Sequence, residues 1–293
     1  MRPILRSLVA AGSGLLLVAL AACEALVRPT REARIASAEA GEAHFAGRMD
    51  RLRRSVFFTL SSDSAQEPDV AAREGRFTIT PHGGAWVSAL ASGITRDGYL
   101  MTAAHVLRRH NWAVGWMDGA LGIRPARVVE RRDYGAVGAE FAILRVEAAV
   151  DSPLPLMARE GFAGDIYVMA AERGGGHGIE CLAGRVLGYS TALGASACFV
   201  VRADLPTRHG DSGGPVLSSD GQLIGVDVGW EMPAFSGPVR TLCCPNPAVV
   251  LSIIEGDRRS HPWPGTGGAH DAVALPGGAP SMRGAETRHA IDP

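Results

Sequence analysis

The sequence contains no lysine: all 29 of its basic residues are arginine. This absence excludes a Schiff-base lysine, a phosphate-binding loop that needs its lysine, and a Ser–Lys catalytic pair. The basic residues are balanced by 30 acidic ones, and the formal net charge is −1. Nucleic-acid binding depends on a basic surface, so this balance predicts no nucleic-acid partner.

Cysteine is scarce, and no group of Cys and His residues has the spacing of a zinc site. We therefore predict neither a metal nor a cofactor. Four of the five cysteines lie in the second half of the chain, and they allow three disulfide pairings. Adjacent Cys243 and Cys244 would be strained if joined, whereas Cys181 with Cys198 would close a hairpin. The sequence leaves the pairing open.

The first 22 residues have the pattern of an export signal. Two arginines precede an uncharged apolar run over residues 8–22, which is short for a membrane-spanning helix. The run ends in Leu20-Ala21-Ala22-Cys23, which resembles the lipobox of bacterial lipoprotein signal peptides. The resemblance implies lipidation of Cys23 and an exported, membrane-anchored protein that faces the periplasm or the cell exterior. Residues 23–55 would then form a tether between the membrane and the domain, or a solvated helix. Ordinary cleavage after Ala21 is the alternative.

Short apolar runs broken by turn residues begin at about residue 76. They are rich in Val, Ile, Thr and aromatic residues, which is typical of an all-β barrel or sandwich. Arg96-Asp97-Gly98 predicts a tight turn, and residues 247–254 predict a helix that begins at Pro247. The folded part is therefore expected at residues 56–256, before a disordered Pro- and Gly-rich tail at 257–293. The predicted strands are 77–80, 85–94, 99–102, 127–130, 141–146, 166–170, 185–189, 198–201 and 223–228.

Three motifs carry the candidate chemistry. In the segment Gly210–Pro215 (GDSGGP), glycines flank Ser212 and let backbone N–H groups approach a reacting carbonyl. His105 follows a predicted strand, and Glu140 precedes another. The order His, acid, Ser matches chymotrypsin-type proteases and differs from the Ser, acid, His order of α/β-hydrolases.

Residues 91–106 resemble the histidine segment of trypsin-like serine proteases of the bacterial type, and Gly210–Pro215 resembles their serine motif. The resemblance covers roughly residues 76–256. It implies two six-stranded antiparallel β-barrels with the active site in the cleft between them. The expected fold is therefore all-β, with the short C-terminal helix predicted from residues 247–254. The resemblance also implies a serine endopeptidase that hydrolyses protein or peptide substrates.

Site residues follow from the same resemblance. Ser212 would be the nucleophile, His105 the general base, and Glu140 the acid that orients His105. The backbone N–H groups of Gly210 and Ser212 would form the oxyanion hole. The substrate pocket would be lined by Pro206, Thr207, Val228 and Trp230.

The candidate site departs from the family pattern at two positions. The family normally has Asp where Glu140 stands, so an extra methylene must be accommodated, and Asp133 is a less well-placed substitute. On the sequence alone, Glu140→Asp is expected to retain or raise activity. The acid that selects basic side chains in trypsin-like enzymes is replaced by Pro206, so no Arg or Lys specificity is predicted. Asp211 is expected to pair with an arginine, as in some bacterial relatives.

Two other functions stay open on the sequence. The Gly-x-Ser-x-Gly pattern around Ser212 also occurs in esterases, which need a helix after the serine and a catalytic His downstream. Here the serine motif is followed by a turn at Asp220-Gly221 instead. The departure at Glu140 leaves an inactive protease-fold lipoprotein that serves as a binding scaffold. Reaction of Ser212 with an active-site phosphonate distinguishes the scaffold from an active enzyme.

Overall fold

A computed structural model describes residues 30–73, 76–134, 140–157, 164–172, 178–190, 198–231 and 239–263. The predicted signal peptide with Cys23 and the tail from residue 264 lie outside these ranges. No helix in the described ranges is long and apolar enough to cross a membrane. The helices are α1 (Arg31–His44), α2 (Met49–Arg54) and α3 (Pro247–Ser260). The strands are β1 (Val56–Ser62), β2 (Asp69–Arg73), β3 (Arg76–Thr80), β4 (Trp86–Gly93), β5 (Tyr99–Thr102), β6 (His110–Met117), β7 (Ala120–Asp133), β8 (Glu140–Val146), β9 (Asp165–Ala171), β10 (Ile179–Ser190), β11 (Cys198–Asp204), β12 (Pro215–Leu217), β13 (Leu223–Glu231) and β14 (Val239–Pro245).

The first six-stranded barrel is closed in the order β1-β4-β5-β8-β7-β6. The predicted turn between β4 and β5 is present, with Gly98 at a φ of 88°, a conformation that glycine adopts without steric cost. The β2–β3 hairpin forms a separate two-stranded sheet. Because side chains alternate along a strand, Leu100 of β5 packs inside this barrel, while Tyr99 and Met101 join a second apolar cluster.

The second barrel is closed in the order β10-β11-β14-β13-β12-β9. Its interior is apolar and includes Ile166, Leu182 and Leu242, all fully buried. The cluster that contains Met101 of the first barrel also contains Met169 and Val226 of the second, and it therefore joins the two barrels. The predicted pair of six-stranded antiparallel barrels is confirmed.

The disulfide joins Cys198 to Cys243 across the paired strands β11 and β14, with the two Cα atoms 6.4 Å apart. The hairpin pairing of Cys181 with Cys198 does not form. Cys181 lies on β10 opposite Met169 of β9 and is a buried free thiol, as is Cys244. Burial raises the pKa of both thiols to about 12.

The segment expected to be a tether is structured from Thr30 onward. Thr30 caps α1, since its hydroxyl accepts from the backbone N–H of Ala33. Phe45, which follows α1, is fully buried, and the ring of His44 stacks on Tyr167 of the second barrel at 4.3 Å. Sequence periodicity missed this packing because most residues of α1 are Ala, Glu and Arg, which show no broad apolar face.

Helix α3 continues beyond its predicted end. Asn246 caps its first turn, with Oδ1 accepting from the N–H of Ala248 at 2.9 Å. Asp257 lies on its buried side and accepts hydrogen bonds from the Tyr99 hydroxyl at 2.9 Å and from Arg127 at 2.7 Å. These contacts with the first barrel place residues 257–263 in the folded domain, whereas the sequence assigned them to the tail.

Candidate active site

His105 lies just beyond the end of β5. Ala103 and Ala104 are fully buried, and a 3₁₀ turn spans Ala104–Val106. The turn brings the His105 side chain to the surface, where 45% of it is exposed. The imidazole is thus accessible to a bound substrate while its backbone is anchored by a buried strand.

Glu140 begins β8 and is placed beside His105 by strand register. The antiparallel pairing aligns Thr102 with Ala142, so the residues after Thr102 lie beside those before Ala142. Oε1 of Glu140 accepts a hydrogen bond from the backbone N–H of His105 at 3.1 Å and also contacts Nδ1 of the imidazole. Glu140 is 8% exposed. The longer side chain therefore reaches the imidazole from a buried position, and its Oε1 orients the ring.

The segment of Ser212 is bonded to the same part of the first barrel. The carbonyl oxygen of Ser212 accepts from the backbone N–H of Leu90 at 2.8 Å. The carbonyl oxygen of Leu90 in turn accepts from the Thr102 hydroxyl at 2.6 Å. One residue of β4 thus connects the serine loop to the end of β5, three residues before His105.

Gly213 makes this close approach possible. Its φ of 80° lies in the left-handed region, and a Cβ at this position would overlap the carbonyl oxygen of Leu90 and the hydroxyl of Thr102. The N–H of Gly213 donates to the carbonyl oxygen of Asp227 at 2.7 Å. The serine loop is therefore held between β4 of the first barrel and β13 of the second.

Two backbone N–H groups of the serine loop have no acceptor among the residues that the structure describes. Within the described ranges, neither the N–H of Gly210 nor that of Ser212 donates to another residue. Gly210 has a φ of 95° and open space around its Cα. These are the two groups that the sequence predicts to form the oxyanion hole.

Ser212 Oγ makes no hydrogen bond to any of the residues that the structure describes, His105 included. The serine side chain is half-buried. In unliganded sites, catalytic hydrogen bonds are often long and shorten only when substrate binds. The structure thus brings His105 and Glu140 into direct contact and links Ser212 to them through the backbone.

The predicted pocket residues lie on the second barrel next to the serine loop. Thr207 and Val228 are buried, Pro206 is half-buried, and Trp230 is part of β13 opposite Arg240. The side chain of Trp230 lies outside the described part of the structure.

A buried ion pair behind this pocket was missed by sequence reasoning. Asp227 of β13 is fully buried and accepts a hydrogen bond from Arg240 of β14 at 2.7 Å. Burial raises the pKa of Asp227, against the opposing effect of the Arg240 charge. The backbone N–H of Asp227 donates to the carbonyl oxygen of Gly214 at 2.9 Å. The pair thus adjoins the serine loop, yet no local pattern in the sequence signals it.

Asp211 is buried, with 2% of its side chain exposed, and it pairs with Arg34 of α1 at 2.7 Å. The expectation of an arginine partner for Asp211 is confirmed. Burial alone would lower the pKa of Arg34, but the hydrogen bond and the charge of Asp211 raise it, and the guanidinium stays charged. Among the described residues, no group of three or more His, Cys, Asp or Glu side chains is arranged to hold a metal ion.

Comparison with known proteins agrees with this geometry. The family model of the trypsin-like peptidase domain matches residues 88–226, which include His105, Glu140 and Ser212. No curated protein sequence matches the chain.

Solved structures show the same fold at low sequence identity. The Rv3671c protease from M. tuberculosis in its active form is 18% identical, with a TM-score of 0.51, over 73% of this chain and 85% of that one. Deg5 is 16% identical, with a TM-score of 0.50, over 72% of this chain and 92% of that one. The serine endoprotease from Yersinia pestis is 15% identical, with a TM-score of 0.50, over 72% of this chain and 65% of that one. Residues 88–226 are thus similar to the trypsin-like peptidase domain, and the chain has the fold of the trypsin-like serine proteases.

Proposed function

We propose that the protein is a serine endopeptidase whose catalytic triad is Ser212, His105 and Glu140. The observation that carries the proposal is the double contact of Glu140 Oε1 with the imidazole and the backbone of His105. A solvated strand-end carboxylate would not be buried against the one histidine that the motif order assigns to catalysis. This contact therefore favours an active enzyme over an inactive scaffold.

The proposed chemistry begins at Ser212. Its Oγ attacks the carbonyl carbon of a peptide bond, and Nε2 of His105 takes the hydroxyl proton. Glu140 accepts the Nδ1–H and stabilises the imidazolium that forms. The tetrahedral intermediate then collapses, the C–N bond breaks, and Nε2 donates the proton to the leaving amine. Water attacks the remaining ester by the same steps and regenerates Ser212.

Charge that develops on the substrate oxygen is stabilised by the two free N–H groups. Those of Gly210 and Ser212 have no acceptor in the described part of the protein and need not break a bond to bind the oxyanion. Loss of one such donor costs on the order of 10²–10³ in kcat, about 3–4 kcal/mol. Fixed donors thus supply a large part of the catalysis.

The proposed substrate is a protein or peptide without a requirement for a basic side chain. Pro206 stands where trypsin-like enzymes that cleave after Arg or Lys carry an acid. Asp227, a buried carboxylate that adjoins the serine loop, is already paired with Arg240 at 2.7 Å. A carboxylate engaged in this way offers little attraction to a substrate cation.

The fold argues against the esterase alternative. An α/β-hydrolase places its nucleophile between a strand and a helix. Here the serine loop leads into β12, which pairs with β13 and β9 of the barrel. The chain order argues the same way, because His105 precedes Ser212, whereas the catalytic His of an α/β-hydrolase follows the serine.

Membrane anchoring is a second part of the proposal, and it rests on the sequence before Cys23. Lipidation of Cys23 would attach the domain to the membrane on the exported side. Metabolic labelling with an alkyne fatty acid tests this, with Cys23→Ser as the control. Labelling of the parent and its loss in the variant are expected, and equal labelling of both would reject the anchor.

The activity is tested by fluorophosphonate labelling of the purified protein, read by intact mass. One adduct is expected on the parent and none on Ser212→Ala. Cleavage of a protein substrate should disappear in the same variant, while thermal unfolding stays within a few degrees of the parent. No adduct on a demonstrably folded parent would reject the endopeptidase and leave the binding scaffold.

A further inference from the structure

Asp227 and Arg240 lie among the residues that the sequence predicts to line the substrate pocket. Asp227 directly precedes Val228 on β13, and Arg240 of β14 stands opposite Trp230 in the strand register. Burial raises the pKa of Asp227, whereas the charge of Arg240 and the nearby Thr207 hydroxyl lower it. The ion pair therefore adjoins three of the four predicted pocket residues.

The backbone of Asp227 places the pair next to the nucleophile. Its carbonyl oxygen accepts from the N–H of Gly213 at 2.7 Å, and its N–H donates to the carbonyl oxygen of Gly214 at 2.9 Å. These are the two residues that follow Ser212 in the serine loop. The Asp227 side chain therefore starts at a strand position that is bonded to the serine loop itself.

The pair fills the space beside the predicted pocket residues. Arg240 donates to Oδ2 of Asp227 at 2.7 Å, with 3% of the Arg240 side chain exposed and none of the Asp227 side chain. Thr207, which lies beside the carboxylate, is fully buried as well. A substrate with an arginine or lysine side chain would need the position beside this carboxylate for its own cation. In this chain an arginine of β14 already occupies that position.

The charges of the pair disfavour long and charged substrate side chains. A second cation beside Arg240 would meet a like charge where water does not screen it. A substrate carboxylate would meet Asp227 in the same way. A long side chain would have to displace the guanidinium and leave Asp227 as an uncompensated buried charge, which is strongly unfavourable. A short, uncharged side chain avoids each of these costs.

We propose that Arg240 is the residue that determines the specificity of the pocket. Its guanidinium takes the place of a substrate cation beside Asp227 and limits the residue before the scissile bond to a short, uncharged side chain. This inference rests on the proposed peptidase function and names its substrate class. It also implies that Asp227 has an affinity for cations that Arg240 masks.

Three variants of the full chain separate the effects of space and charge. Arg240→Ala removes the guanidinium and leaves Asp227 beside an open pocket. Adding Asp227→Asn to this variant keeps the space but removes the charge. Arg145→Ala is the matched control, because Arg145 is also a buried arginine, 6% exposed, and pairs with Asp257 at 3.2 Å. Arg145 lies at the other end of β8 from Glu140.

The first readout is the residue before each cleaved bond in a peptide library, identified by mass spectrometry. The parent should cleave after short, uncharged residues such as alanine and serine. In Arg240→Ala, kcat/KM for a substrate with arginine at this position, relative to alanine, should rise about tenfold or more, because the buried carboxylate gains a cation. The variant that also carries Asp227→Asn should instead accept longer uncharged residues such as leucine. Arg145→Ala should keep the profile of the parent.

The second readout is benzamidine binding, which does not require turnover. Benzamidine carries an amidinium group whose charge and planar shape resemble those of a guanidinium. It should raise the unfolding temperature of Arg240→Ala, and much less that of the parent or of the variant with Asp227→Asn. Because the vacated space adjoins the loop of Ser212, bound benzamidine should also slow the labelling of Arg240→Ala by the fluorophosphonate. Labelling of Arg145→Ala should be insensitive to it.

A parent that already cleaves efficiently after arginine or lysine would overturn the inference. So would an unchanged arginine-to-alanine ratio in Arg240→Ala together with the absence of benzamidine binding. If Arg240→Ala does not fold, the variant with Asp227→Asn decides, and a profile that is still limited to short residues would overturn the inference. A parent that fails to react with the phosphonate would reject the peptidase function instead, and benzamidine binding alone would then decide whether Arg240 masks Asp227.

Discussion

Shortening Glu140 by one methylene is expected to slow catalysis, although aspartate is the usual acid of trypsin-like enzymes. Oε1 of Glu140 contacts Nδ1 of His105 and accepts from its backbone N–H at 3.1 Å. Glu140→Asp withdraws the carboxylate by about 1.5 Å, one carbon–carbon bond. A misplacement of about 1 Å can cost on the order of 10²-fold in rate. We therefore expect kcat to fall by about 10- to 100-fold, the opposite of the expectation from the sequence alone.

Glu140→Gln separates charge from reach, because the amide keeps the length of the side chain. The amide nitrogen can donate to Nδ1 and thereby place the ring proton on Nε2, where it blocks acceptance of the Ser212 proton. Loss of the carboxylate in a catalytic triad lowers kcat by about 10⁴-fold. The expected order of activity is thus wild type, then Glu140→Asp, then Glu140→Gln.

These variants are assayed with a fluorogenic peptide substrate after titration of the active sites, alongside urea unfolding. Asp133→Asn is the control, because Asp133 is exposed and lies opposite Glu140 in the β7–β8 register; its kcat should match wild type. A Glu140→Asp rate at or above wild type would show that the backbone adjusts to the shorter acid. Wild-type turnover in Glu140→Gln would refute the assignment of Glu140 as the triad acid.

Three further predictions concern stability. Arg240→Met leaves Asp227 buried without its cation and should lower the free energy of unfolding by about 3–5 kcal/mol, measured by urea titration. Adding Asp227→Asn to this variant removes the unpaired charge and should recover part of the lost stability. No recovery would contradict the pairing of Asp227 with Arg240. Burial alone would raise the pKa of Asp257, but hydrogen bonds from Arg127 and the Tyr99 hydroxyl lower it below the usual aspartate value. The ionised Asp257 therefore adds to the free energy of unfolding at pH values above the ordinary aspartate pKa of about 3.9. This stabilisation is lost as the pH falls through the lower pKa that Asp257 has in the folded protein. Asp257→Asn should flatten this acid limb of the unfolding curve, and an unchanged limb would assign it to other carboxylates. Reduction of the disulfide between Cys198 and Cys243, which are 45 residues apart in the chain, should lower the free energy of unfolding by up to about 4 kcal/mol, the chain-entropy value for a loop of this length. Equal denaturant midpoints for the oxidised and the reduced protein would argue against that contribution.

Local patterns of apolar and turn residues determined much of the fold. The strand over Tyr99–Thr102 agrees residue for residue with the prediction, and most other predicted strands lie within observed ones. A strand of alternating or continuous apolar residues carries its signal within a few neighbours. Val56–Ser62 was missed because Arg, Ser and Thr around it weaken that signal, and its partners β4 and β6 lie far along the chain.

The sequence by itself determined the chemistry that the site can perform: a serine among glycines, a histidine after a strand and an acid before another, in a known order. Only the tertiary structure decided how these groups are supported. Arg34 and Asp211 are 177 residues apart in the chain, and Asp227 meets Arg240 through strand pairing. Such pairs form only because the fold brings distant parts of the chain together. In the sequence, an arginine in an Ala- and Glu-rich helix shows no sign of whether its side chain is buried or solvated. The disulfide of Cys198 with Cys243 was decided in the same way. The pairing of β11 with β14 aligns Cys198 with Pro245 and Val200 with Cys243, which places the two cysteines at diagonal positions of one strand pair.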